Sequence, residues 1–257
     1  MIYLDYNATT PVLPEVLEAM MPYFTTEWGN PSSTYKFGYK IKTAIETARE
    51  QVADLIGAHP MEVIFTSCAT ESNNTAIHAA LKANPAKRHI ITSVVEHSSV
   101  LNYCMALETE GYRVTYLQVD REGLLKLADL ENAITEETAV VSLMWANNET
   151  GVLFPVKEIA EICQSRGVLY HCDAVQAAGK VDINLRSLPI NYLSLTGHKF
   201  HAPKGIGTLY VRRKTPVSAF VHGGHQERNH RGGTESVPLI VGMGKAAEPR
   251  VVVFQTM

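Results

Sequence analysis

Four cysteines in 257 residues (Cys68, Cys104, Cys163 and Cys172) form no C-x-x-C pair. That argues against a disulfide framework or a cysteine zinc site, and fits reduced thiols in a cytoplasmic protein. No apolar run approaches membrane-spanning length. Asp5 interrupts the leading segment too early for a signal-peptide apolar core. Neither charge dominates: 23 Lys and Arg against 26 Asp and Glu leave a net charge of −3. That gives no reason to expect nucleic acid or an anionic membrane as a partner. His171, His225 and His230 lack a trustworthy ligand spacing, so no metal is expected. Repeats and low-complexity tracts are absent.

What is present is an alternation of strand and helix patterns. Pro14 to Phe24 reads as a helix with Leu17, Met20, Met21 and Phe24 on one face. Asn30-Pro31-Ser32-Ser33 is a turn, with Ser32 or Ser33 available to cap a long helix that runs to Ile56 and stops at Gly57. Strands are expected over Glu62–Thr66, Arg88–Val95, Arg113–Val119, Thr138–Trp145, Val168–Cys172, Ile190–Leu195 and Gly205–Val211. Helices are expected over Thr70–Leu81, Ser98–Glu110, Leu127–Ile134 and Pro155–Arg166. This rhythm predicts an α/β fold, a mostly parallel sheet with helices on both faces.

In such sheets ligands bind beyond the carboxyl ends of the strands. Five expected strand ends are polar: Ser67 to Asn74, Glu96-His97, Asn147 to Gly151, Asp173 with Gln176, and Thr196 to Lys199. Each residue also has a plainer reading. Lys199 alone is first a surface lysine; on a turn between buried strands, desolvation would favour the neutral amine that forms a Schiff base. Cys68-Ala69-Thr70 opens a helix, which suits a phosphate or simply caps the helix. Asp173 could hold a pyridinium nitrogen or close a turn. His97 could stack on a ring, shuttle a proton, or cap a helix.

Eight segments, in order, carry a resemblance. They are Tyr3 to Pro11, Asn30 to Ser33, Ala69 to Asn74, Glu96-His97, Ala146 to Gly151, Asp173 to Gln176, Gly197 to Lys199, and Arg231 to Glu235. The sequence resembles cysteine desulfurases of the nitrogen-fixation and iron–sulfur cluster assembly type, within the pyridoxal-phosphate enzymes of aminotransferase class V. The resemblance implies the large domain of fold-type I pyridoxal-phosphate enzymes, with a seven-stranded-type sheet. It implies an N-terminal arm over residues 1–13, a cofactor-binding domain over 14–247 and a tail over 248–257 outside the family pattern, most of the smaller C-terminal domain being absent.

It also implies roles. Lys199 would bind pyridoxal 5'-phosphate covalently and move the substrate proton. Asp173 would face the pyridine nitrogen, with Gln176 and Asn147 near the phenolic oxygen. His97 would stack on the ring and act in proton transfer. Ala69, Thr70, Thr196 and His198 would hold the phosphate. Thr234 would reach the partner subunit's phosphate in a homodimer. The implied activity removes sulfur from L-cysteine, giving L-alanine and an enzyme-bound persulfide for an iron–sulfur scaffold protein. The family's mobile persulfide cysteine has no counterpart in this sequence. Two alternatives stand beside that activity: an inactive cofactor-binding remnant, and a thiol-independent lyase or transaminase on the same cofactor. Cys68 and Thr196 depart from the family's usual glycine and serine. The segment from Glu248 on is expected to leave the helix at Pro249 and to carry an apolar run that could form an edge strand.

Overall fold

The structure, a computed structural model, describes residues 2–248. The expectation of an edge strand in the final segment therefore lies outside the described residues. Seven strands form one sheet: β1 (Val63–Thr66), β2 (His89–Ser93), β3 (Arg113–Leu117), β4 (Thr138–Ser142), β5 (Leu169–Asp173), β6 (Tyr192–Thr196) and β7 (Gly207–Val211). Their order is β1-β7-β6-β5-β4-β2-β3. The β3, β2, β4, β5 and β6 neighbours run parallel; β7 runs antiparallel to both β6 and β1. Because β7 reverses twice, β1 points the same way as β6. The carboxyl ends of all six like-directed strands therefore lie at one edge of the sheet.

Among the described residues eight α-helices accompany the sheet: α1 (Pro14–Met20), α2 (Pro22–Thr25), α3 (Lys36–Leu55), α4 (Ala69–Ala83), α5 (Ser98–Thr109), α6 (Leu127–Ala133), α7 (Val156–Ser165) and α8 (Val237–Ala247). The alternation of side chains along each strand separates two cores. Val63, Phe65, Ile91, Val141, Tyr170 and Leu193 face α1, α3, α6, α7 and α8. Ile64, Ile90, Val140, Tyr192 and Leu209 face α4 and α5. Burial on both sides is why these strands read as apolar runs and not as a polar alternation. On the first face α8 lies against α3 through small residues; a Cβ on Gly244 would stand 2.6 Å from the Ala48 backbone.

Three local expectations need correction. The single helix over 14–24 is two, because Pro22 has no N–H to continue α1 and instead opens α2. Neither Ser32 nor Ser33 caps α3, which begins at Lys36 with no side-chain cap. Those serines belong to a turn closed by Asn30, whose Oδ1 accepts the Ser32 N–H at 2.9 Å and whose carbonyl accepts the Ser33 N–H at 3.1 Å. The fourth strand ends at Ser142, three residues early. Leu143 and Trp145 still donate to His171 and Asp173 carbonyls at 3.1 and 2.9 Å, so an irregular extension replaces ladder geometry.

Candidate active site

One cavity of about 440 Å³ opens at the polar edge of the sheet. Its walls come from the connections after β1, β2, β4, β5 and β6, and from Asp5, Asn7 and Ala8 of the leading segment. The volume falls within the range of small-molecule sites. Ala69, Thr70, His97, Asp173, Gln176, Thr196, His198 and Lys199 all line it.

Lys199 sits in a short 3₁₀ turn, Gly197–Lys199, directly after β6. The turn is tight: a Cβ on Gly197 would stand 2.8 Å from that of Ala202. Lys199 Nζ donates to the Asn7 carbonyl and, at 2.9 Å, to the Ala8 carbonyl. Burial lowers its pKa below the ordinary lysine value, against the opposing charges of Asp5, Asp173 and Glu149. A desolvated amine next to carbonyl acceptors is held in place and is easier to deprotonate. The leading segment is fixed to the same turn. Thr10 donates to the His198 carbonyl through its N–H (2.9 Å) and hydroxyl (3.0 Å), and accepts the His201 N–H at 2.7 Å.

Asp173 ends β5 and is 6% exposed. Burial raises its pKa, while hydrogen bonds from the Val175 N–H (3.0 Å) and Asn73 Nδ2 (2.8 Å) and the charges of His97 and Lys199 pull it back. Behind it, Glu96 is fully enclosed, and burial pushes its carboxyl up to about 8. Glu96 Oε1 accepts from Ser93 Oγ (2.8 Å) and the Met144 N–H (3.0 Å); Oε2 has no partner. Gln176 donates to the Asn7 carbonyl at 2.9 Å and accepts from Lys180 at 2.7 Å.

The α4 N-terminus forms another wall. Cys68 is its N-cap in extended conformation and makes no side-chain cap bond. Thr70 is exposed in the first turn. The approach of β7 to this turn is close: a Cβ on Gly207 would lie 2.6 Å from the Cys68 carbonyl carbon. First-turn amides and the helix dipole suit an anion there. Burial, then the charges of Lys199 and Lys204, lower the His198 pKa. Thr196 donates its hydroxyl to the Ile206 carbonyl at 3.1 Å, so that hydrogen is not aimed into the cavity.

Two expected residues stand apart. Asn147 does not line the cavity. Its Nδ2 donates to the Val95 carbonyl (3.1 Å), and its Oδ1 accepts the Glu149 and Thr150 N–H groups (3.0 and 2.9 Å), which builds the loop after β4. Thr234 is exposed and lines a second, smaller pocket of about 150 Å³. Its loop is tied to α4 by Arg231, which meets Glu71 at 2.9 Å. Sequence reasoning did not single out Asn7, Asn73 or Ser99. Asn7 and Asn73 lay inside quoted motifs, but nothing local announces a backbone carbonyl as a lysine acceptor. Among the described residues no cluster of three metal-ligating side chains occurs, and no helix is long and apolar enough to cross a membrane.

Comparison with known proteins gives concordant matches. The family model for aminotransferase class-V matches residues 2–249. A cysteine desulfurase of Trichormus azollae is 56% identical over 255 residues, covering 99% of this chain and 64% of that protein. Cysteine desulfurase NifS of Azotobacter vinelandii is 52% identical, covering 96% of this chain and 62% of that protein. A solved structure described as a NifS-like protein superposes with a TM-score of 0.93 at 42% identity, covering 96% of this chain and 68% of that one. Another, SspA in complex with cysteine, gives 0.95 at 42% identity, covering 99% and 75%. The chain thus spans about 64% of the length of the curated relatives it matches.

Proposed function

This chain belongs to the aminotransferase class-V family, and on that premise we propose that its cavity binds pyridoxal 5'-phosphate and serves removal of sulfur from L-cysteine. The observation that carries the reading is the pairing, in one cavity, of an amine with lowered pKa at Lys199 and a buried carboxyl at Asp173. The donor set fits the cofactor. The α4 first turn and His198 suit a phosphate, Asp173 suits a pyridine nitrogen, Lys199 suits an aldehyde carbon, and the exposed ring of His97 suits a stacking partner. Bound there, the cofactor would act as an electron sink for charge developing at the substrate α-carbon.

The chain's own residues then divide the work. Asp173, kept from water, would supply a fixed carboxylate for the cofactor's pyridine nitrogen. Lys199 would accept and return a proton at Nζ, since burial lowers its pKa below the ordinary lysine value. Gln176, anchored on Asn7 and Lys180, keeps the leading segment against the cavity. Thr234, exposed and outside the cavity, is suited to reach a second copy, as a homodimer requires. The names of the relatives support cysteine as substrate, and the reading extends to an iron–sulfur scaffold protein as sulfur acceptor in the cytoplasm.

A second reading is favoured by one observation. Burial pushes Cys104 and Cys163 up to about 12 and Cys172 well above its ordinary value, so those thiols are inert. Only Cys68 lines the cavity. The second reading is therefore cofactor binding with thiol-independent lyase or transaminase chemistry, or no turnover.

The test has two stages. The purified chain incubated with pyridoxal 5'-phosphate should gain a visible absorbance band that Lys199→Ala abolishes; no band in either sinks the cofactor reading. Sulfide release from cysteine in the presence of a reductant supports sulfur removal. A band without sulfide, or transamination independent of thiols, selects the second reading.

A further inference from the structure

Behind the cavity wall, a hydrogen-bonded chain joins two groups that sequence reasoning treats separately. His97 is the N-cap of α5, and its ring does the capping: Nδ1 accepts the Ser99 N–H at 3.1 Å. The Ser99 hydroxyl lies 2.8 Å from the same nitrogen. Ser99 Oγ in turn lies 2.9 Å from Asn73 Nδ2, whose other contact is Asp173 Oδ2 at 2.8 Å. Asn73 and Ser99 are both buried.

The direction of each bond follows from chemistry. A backbone N–H can only donate, so His97 Nδ1 carries a lone pair. A carboxylate can only accept, so Asn73 turns its NH₂ toward Asp173. The opposite amide orientation would set Oδ1 against the carboxylate. Both amide hydrogens are thus committed, to Asp173 and Ser99, and Asn73 Oδ1 has no partner. Ser99 Oγ then accepts from Asn73, and its own hydrogen is left for His97 Nδ1. A proton at Nδ1 would meet the Ser99 N–H head-on and add positive charge at a helix N-terminus.

We propose that Asn73 and Ser99 are positioning residues that hold His97 as its Nε2–H tautomer, so that His97 presents a proton donor to the cavity while the same relay orients Asp173. Resting on the cofactor reading above, this gives His97 an Nε2–H hydrogen-bond donor toward the cavity, with its one basic nitrogen, Nδ1, turned toward Ser99, so the neutral ring takes up no proton at Nε2. Asp173 and Lys199 couple electrostatically to this network, and Asp5, Glu149 and His198 line the same cavity. Glu96 adjoins His97 in the chain, behind the wall.

The tautomer is read by two-bond ¹H–¹⁵N correlation on the cofactor-free chain labelled with ¹⁵N-histidine, at alkaline pH where imidazoles are neutral. The His97 signals are assigned by their loss in His97→Gln. The wild-type ring should show the Nε2–H pattern. Ser99→Ala removes one of two donors to Nδ1 and should raise the Nδ1–H fraction about three- to tenfold, the worth of one hydrogen bond. Ser99→Thr, which keeps the hydroxyl, should restore the wild-type ratio. Asn73→Ala frees the Ser99 hydroxyl to turn and should move the ratio the same way by less. An Nδ1–H pattern in the wild type overturns the proposal without recourse to any variant, as does an unchanged ratio in a folded Ser99→Ala. Because no cofactor is present, this result is separate from the absorbance test. A band at Lys199 with the wrong tautomer at His97 would remove the relay and leave the cofactor reading standing.

Discussion

Glu227→Ala removes one carboxylate from a place where three demands meet. Glu227 is 6% exposed and Arg49 is 2% exposed. The two pair in a fork, at 2.7 Å to Nη1 and 2.8 Å to Nη2. Glu227 Oε2 also accepts the Phe65 N–H of β1 at 2.8 Å. In addition, Glu227, Arg228 and Asn229 adopt φ angles of 43°, 58° and 69°, a run of left-handed backbone without glycine. Each such residue costs roughly 1–2 kcal/mol, least for asparagine. Removing the carboxylate strands a buried guanidinium that keeps the half-exposed Glu46, the Val63 carbonyl and the Phe65 ring as partners. Breaking a buried pair from one side costs about 3–5 kcal/mol. For a chain of this size that lowers the melting temperature by about 6–20 °C. Glu227→Gly loses the same pair but relieves the φ strain, so it should be milder than Glu227→Ala by about 1 kcal/mol. Arg49→Met combined with Glu227→Leu should recover part of the loss, since neither charge is then left unpaired. Urea and thermal unfolding of the purified variants decide the matter. A loss below about 1 kcal/mol for Glu227→Ala, or a glycine variant no milder than the alanine one, would refute the reasoning that this ion pair holds the strained loop.

Two further outcomes follow from the site. Glu96 titrates near 8 in the folded chain against an ordinary value of 4.5. The folded state thus binds the extra proton, and stability should fall as pH rises from 4.5 to 8. Glu96→Gln should flatten that decline; equal declines in wild type and variant, by urea midpoints at the two ends of the range, would remove Glu96 as its source. Gly207→Ala inserts a Cβ 2.6 Å from the Cys68 backbone. It should cost about 1–3 kcal/mol and weaken pyridoxal 5'-phosphate binding in a spectral titration, because the α4 first turn must shift. Wild-type affinity in this variant would show that the close approach does not shape the anion wall.

The sequence made much of the candidate site legible because most cavity residues outside the leading segment follow a strand they can be read from. Thr70, His97, Asp173 and Lys199 come directly after buried apolar runs, and parallel topology gathers those ends. Asn147 illustrates the limit. It also follows a strand, yet its amide is spent on Val95, Glu149 and Thr150 within its own neighbourhood. Position along the chain shows which edge of the sheet a residue reaches, but not whether its side chain turns to the cavity or to the loop.

By itself, the sequence determined the element succession, the two-faced burial of the strands and the edge at which chemistry collects. These depend on periodicity and turn residues, which act within a few positions. Only the tertiary structure decided that β7 runs antiparallel between β1 and β6, that the Asn7–Ala8 carbonyls hold Lys199, that Glu227 pairs with Arg49 178 positions away, and that Asn73 joins Asp173 to Ser99. Those contacts close long loops, so their partners are chosen by the packing of the whole chain. No local pattern can carry that choice.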